Sequence, residues 1–80
     1  MKIKVLGFGI VREIFGNQSI EIDVDEGLTV SGLRGVLETK YPRMMSLKSY
    51  MIALDEEYAD ENQEISNLHE IAVIPPVSGG

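Results

Sequence analysis

Two alternating segments lie at opposite ends of this 80-residue chain, with a stretch of helical periodicity between them. At the start, Ile3 and Val5 fall on one face of an extended segment, and Lys2, Lys4, Leu6 and Phe8 on the other. At the end, from Glu70 to Ile74, Ile71 and Val73 share one face while Ala72 and Ile74 share its opposite. A chain this short buries only about 60% of the surface it exposes when unfolded, so both strands must serve a single core. With no cysteine in the sequence, neither disulfides nor thiolate metal sites can staple that core.

The intervening residues carry their own punctuation. Ile10 to Phe15 reads as a short helical turn closed by Gly16. Ile20, Ile22 and Val24 alternate with Glu21, Asp23 and Asp25 as a second strand. Thr29 is placed to cap a helix reaching about Lys40, whose stripe of Val30, Leu33, Val36 and Leu37 faces the sheet. Gly32 and Gly35 each cost that helix roughly 1 kcal/mol against alanine, and close approach to the sheet is the expected reason. Pro42 ends the helix at Tyr41.

Arg43 to Lys48 reads as irregular, Met51 to Leu54 as a third strand and Asp55-Glu56-Glu57 as a turn, with a short edge strand near Tyr58 or Glu64-Ile65. The order predicts an α+β layer: a mixed sheet of four to five strands with one main helix on one face. Ile3, Val5, Ile71 and Val73 meet the helix, leaving Leu6, Phe8, Ala72 and Ile74 on a face that no second helix covers. Such a face is either a partner surface or partly covered by loops.

Charge and length exclude several roles. Thirteen acidic against seven basic side chains, a net −6, disfavour nucleic acid and anionic membrane and suit a protein partner with a basic or mixed surface, or simply aid solubility. The first residues contain no apolar run long enough for a signal or a membrane span, so a cytoplasmic location is expected.

The chain divides into a body, residues 1–76, and an arm, residues 77–80. Pro75 and Pro76 donate no N–H and end ladder pairing. Val77-Ser78-Gly79-Gly80 then reads as a flexible arm with no side chain larger than valine. Without Cβ atoms, Gly79 and Gly80 let the terminal carboxylate of Gly80 enter a narrow channel. That carboxylate is a poor electrophile until activated, for example as an acyl-adenylate. Alone, Ser-Gly-Gly is also what a frayed terminus looks like; the stiff spacer directly after a core strand argues for the arm.

The run Glu70-Ile71-Ala72-Val73-Ile74-Pro75-Pro76-Val77-Ser78-Gly79-Gly80 resembles the end of the small subunits of molybdopterin synthase, sulfur carriers of the ubiquitin-like, ThiS-like superfamily. Lys4-Val5-Leu6, Val11-Arg12-Glu13 and Gly16 follow that family's opening, and Ala53 with Glu57-Tyr58 its middle strand and turn. The chain departs at Leu68-His69-Glu70, where relatives have Gly-Asp-Glu, and at Asp55, where asparagine is common.

The resemblance implies a β-grasp fold and a cycle at Gly80. An E1-like adenylyltransferase uses ATP to adenylate Gly80, a sulfur donor system converts it to a thiocarboxylate, and the molybdopterin synthase large subunit accepts the tail. There the sulfur converts cyclic pyranopterin monophosphate to the dithiolene, in an assembly with two small subunits at the ends of a large-subunit dimer. Leu6, Phe8, Ala72, Ile74, Pro75, Pro76, Val77 and Ser78 are the expected contacts, Gly79 and Gly80 the reacting end. The chain itself would bind no cofactor or metal and act as co-substrate rather than enzyme, since its side chains assemble no acid, base and nucleophile. A protein modifier forming isopeptide bonds, a thiamine-type sulfur carrier and a pure binding module remain the alternatives.

Other features carry less. His69, the single histidine, has no ligand spacing around it and reads as a turn residue. Asp55-Glu56-Glu57 and Asp60-Glu61 lack the glycine-centred spacing of a calcium loop. Gly7-Phe8-Gly9 is followed by no long helix of the dinucleotide type. Met44, Met45 and Met51 are read as core filling, with an adaptable contact surface as the other possibility.

Overall fold

A computed structural model describes residues 1–47 and 49–76. The alternating segments form one five-stranded mixed sheet in the order β2-β1-β5-β3-β4, from β1 (Lys2–Gly7), β2 (Ser19–Asp23), β3 (Met51–Leu54), β4 (Glu57–Tyr58) and β5 (Ile71–Ile74). The first and last strands lie side by side and parallel, pairing Val5 with Ile71, Leu6 with Ala72 and Gly7 with Val73. β5 is flanked on its other edge by antiparallel β3, so it runs through the middle of the sheet.

Capping residues fix both helices. α1 (Ile10–Phe15) stops at Gly16, whose φ of 76° lies in the left-handed region open to glycine and whose N–H donates to the Arg12 carbonyl at 2.9 Å. α2 (Val30–Lys40) begins at Thr29, whose Oγ1 accepts the Gly32 N–H at 3.1 Å. After Tyr41 the chain makes a 3₁₀ turn, Pro42–Ser46, in place of the irregular stretch expected, with proline at its start, where no donor is needed.

The core lies between α2 and one face of the sheet. Val30, Leu33 and Leu37 of α2 are buried against Ile3 and Val5 of β1, Ile22 of β2, Ile52 and Leu54 of β3, and Ile71 and Val73 of β5. α1 closes one end through Val11 and Phe15; a Cβ on Gly7 would stand 2.9 Å from the Phe15 ring, so that position has no room for a side chain. Of the three methionines read as core filling, only Met44 is buried; Met45 and Met51 are exposed.

Candidate functional site

The face of the sheet opposite α2 is apolar and open. Alternation sends Leu6 from β1, Ala72 and Ile74 from β5, Met51 and Ala53 from β3 and Tyr58 from β4 to this side, in the register Leu6–Ala72–Ala53–Tyr58 across four strands. Small side chains at Ala53 and Ala72 leave a hollow of about 320 Å³ between larger walls, Leu6, Phe8 and Ile74 on one side and Tyr58 on the other. Phe8 is 43% exposed and Tyr58 68%. Among the described residues no loop therefore covers this face, and the four residues expected on it, Leu6, Phe8, Ala72 and Ile74, are brought together.

Glu56 and Glu70 put carboxylates on the rim of the hollow. Their positions depend on a clasp between the β3–β4 turn and the start of β5. The Asp55 N–H donates to the Glu70 carbonyl at 2.9 Å, and the Glu70 N–H donates to Asp55 Oδ1 at 2.8 Å. The turn is two residues, Asp55 and Glu56, both at positive φ, 52° and 68°, as an I′ hairpin requires. Glu57, expected in the turn, opens β4 instead. At Leu68-His69 the loop is closed by the Ser66 N–H donating to His69 Nδ1 at 2.9 Å. His69 is thus a turn residue.

β5 ends at Ile74 beside this face. Pro75 is half-buried, its Cγ close to Gly9, where an added Cβ would stand at 3.2 Å, and Pro76 is exposed. The remaining expected contacts, Val77 and Ser78, and the reacting end, Gly79 and Gly80, lie outside the described residues. Sequence reasoning missed Ala53, Glu56, Tyr58 and Met51 as members of the face. The β3 alternation would have given Met51 and Ala53; Tyr58 becomes assignable only once β4 is paired.

The remaining polar cluster is structural. Arg34 makes an ion pair with Glu61 at 2.9 Å, donates to the Tyr50 carbonyl at 2.8 Å and lies 4.6 Å from the centre of the Tyr50 ring. The Tyr50 hydroxyl donates to Glu38 Oε2 at 2.6 Å. Burial, then the neighbouring Glu38 carboxylate, pushes the Tyr50 phenol up to about 12, with Arg34 opposing. Among the described residues no three side chains gather that could hold a metal ion, and no helix is long and apolar enough to cross a membrane.

A five-stranded mixed sheet with parallel first and last strands at its centre and one helix across a single face defines a β-grasp, ubiquitin-like protein. The crystal structure of SAMP1 from Haloferax volcanii has this fold, with a TM-score of 0.83 at 24% identity over 100% of both chains. More specifically, residues 5–80 match the ThiS family, and the chain belongs to that family. It is 39% identical to the molybdopterin synthase sulfur carrier subunit of Dictyostelium discoideum, over 99% of this chain and 96% of that one. It also resembles a chain in the complex of subunits 1 and 2 of the molybdopterin-converting factor from Helicobacter pylori, with a TM-score of 0.69 and 26% identity over 100% of both.

Proposed function

We propose that this chain is a sulfur carrier for molybdopterin synthesis, with the carboxylate of Gly80 as its working group. The observation that carries the reading is the end of the central strand. β5 brings the chain out beside an open apolar face, and Pro75-Pro76 and Val77-Ser78-Gly79-Gly80 follow in sequence. The face holds the body against a partner while the residues after Pro76 enter that partner's site.

The chemistry proceeds in three steps. A carboxylate oxygen of Gly80 attacks the α-phosphorus of ATP on an E1-like adenylyltransferase, releasing pyrophosphate. A sulfide-level sulfur from the donor system attacks the acyl carbon and expels AMP, leaving a thiocarboxylate. The large synthase subunit then receives this end; on each of two carriers in succession the thiocarboxylate sulfur bonds to a carbon of cyclic pyranopterin monophosphate and water hydrolyses its acyl–sulfur bond, returning Gly80 as carboxylate and leaving the two sulfurs of the dithiolene. Glycine at 79 and 80 leaves the reacting carbon without a shielding side chain. ATP belongs to the activating partner, and this chain acts as co-substrate. A cytoplasmic setting and an assembly of two carriers on a large-subunit dimer go with the reading; pairing with a second subunit is supported by the complex of subunits 1 and 2 of the Helicobacter pylori molybdopterin-converting factor.

Co-expression with an adenylating enzyme and a sulfur source tests the proposal. Intact mass should show one oxygen replaced by sulfur, located at Gly80 by fragmentation. Deleting Gly80, or adding one residue after it, should abolish loading and leave thermal unfolding unchanged. A tail that stays unmodified under conditions that load a known carrier refutes the reading. Reductant-resistant conjugates on lysines in denaturing gels would assign the tail to protein modification instead.

A further inference from the structure

Two glycines in α2 have no explanation in the core. Each costs the helix roughly 1 kcal/mol against alanine, and close approach to the sheet, the expected reason, is not what the structure shows. A Cβ on Gly35 would meet nothing within 4 Å, and one on Gly32 would meet first the Leu28 Cδ1, at 2.7 Å, the movable end of a side chain. Both glycines instead line an open groove of about 790 Å³, bounded on its other side by Glu21, Ile22 and Asp23 of β2. Their missing side chains keep this groove deep.

Among the described residues β2 pairs only with β1, so the strand wall is the sheet's free edge. The Gly7 N–H donates to the Gln18 carbonyl and the Val24 N–H to the Met1 carbonyl. Antiparallel parity then turns the backbone of Ile20 and Ile22 toward β1 and leaves the N–H and C=O groups of Ser19, Glu21 and Asp23 directed outward. Ile22 faces the helix side and is buried, whereas the Glu21 and Asp23 side chains stand exposed on the opposite face. Among the described residues neither carboxylate is in an ion pair.

A strand laid along this edge would place the residue opposite Ile22 in the groove beside Gly35, and the residues opposite Glu21 and Asp23 against the two carboxylates. β1 already provides that pattern on the inner side, with Lys2, Ile3 and Lys4 opposite Asp23, Ile22 and Glu21. We propose that the groove between β2 and α2 receives an extended basic–apolar–basic segment of a partner protein as an added strand. Backbone pairing supplies affinity, and the charge pattern selects the segment. A second copy of this chain is disfavoured, because edge-to-edge pairing would set Glu21 and Asp23 against their own counterparts. The site lies at the opposite end of the sheet from β4 and is independent of the sulfur-carrier reading.

Titrating the full-length ¹⁵N-labelled chain with acetyl-Lys-Val-Lys-Val-Lys-amide tests the proposal. Saturable shifts are expected at the amides of Ser19, Glu21, Asp23, Gly32 and Gly35, and not at Leu6, Phe8 or Ala72. Gly35→Leu should fill the groove and weaken binding about tenfold, some 1.4 kcal/mol, with a melting temperature unchanged or raised. Glu21→Lys with Asp23→Lys should switch preference to acetyl-Glu-Val-Glu-Val-Glu-amide. The proposal is overturned by absent saturable shifts, by equal binding of the acidic peptide to the unaltered chain, or by unimpaired binding to Gly35→Leu. Shifts at β2 that follow protein concentration alone would overturn it in favour of self-association.

Discussion

Replacing Glu56 with glycine should stabilise the protein, and the same change one residue earlier should destabilise it. Both residues sit at positive φ, which costs an L-residue roughly 1–2 kcal/mol, and aspartate less because its short side chain tolerates the region. Glycine removes that cost but gives up roughly 0.5–1 kcal/mol of chain freedom on folding. Glu56→Gly therefore nets a gain of about 0.5–1 kcal/mol. Asp55→Gly recovers less strain and deletes the oxygen that accepts the Glu70 N–H at 2.8 Å. At an exposed site that charge-assisted bond is worth about 1.5 kcal/mol, leaving a net loss of about 1 kcal/mol. Since 1 kcal/mol moves the melting temperature of a domain this size by roughly 4–8 °C, calorimetry at neutral pH should separate the two variants by about 10 °C. Asp55→Asn keeps the acceptor and should stay near the parent. If both glycine variants shift in the same direction, the clasp does not hold the turn as argued.

Truncating the open face should affect docking and folding differently. Tyr58→Ala should leave the melting temperature nearly unchanged, because the ring is 68% exposed. Phe8→Ala should weaken binding to a large synthase subunit about fivefold by calorimetry, from about 1 kcal/mol of still-exposed ring. Thr29→Ala removes the acceptor for the Gly32 N–H and should cost about 1 kcal/mol in urea unfolding. Tyr50 keeps its proton more tightly folded than unfolded, so its contribution is fully present below pH 10 and is lost as pH rises toward 12. After discounting for solvent around the hydroxyl and Glu38, that loss is about 1 kcal/mol, and Tyr50→Phe should unfold without it when compared across that range.

What the sequence reveals depends on whether a feature is local. Gly16, Thr29 and Pro42 mark element ends through their own backbone chemistry, so α1 ends, and α2 begins and ends, where those residues put them. β4 was ambiguous because two residues have no period; only its pairing with Ala53 and Leu54 defines it. The Asp55-Glu56 turn was legible as a turn, but a hairpin loop with no glycine gives no sign of its positive φ. For Gly32 and Gly35 the expected close approach to the sheet does not hold, because the sequence shows a missing side chain without showing what stands opposite. Likewise, alternation put Leu6, Phe8, Ala72 and Ile74 on one face, while the hollow they surround exists only through Ala53 and Tyr58, which the strand order brings alongside.

The strand order also governs when this protein can exist during synthesis. β1 and β3 have no direct neighbour in each other; their shared partner is β5, the last of the five strands to be made. A ribosome that has completed β1 through β4 has produced two sheet fragments with an empty lane between them, and the many long-range pairings must wait for residues 71–74. A chain ended before residue 71 thus lacks the shared strand, and with it the Ala72 and Ile74 side chains that complete the open face.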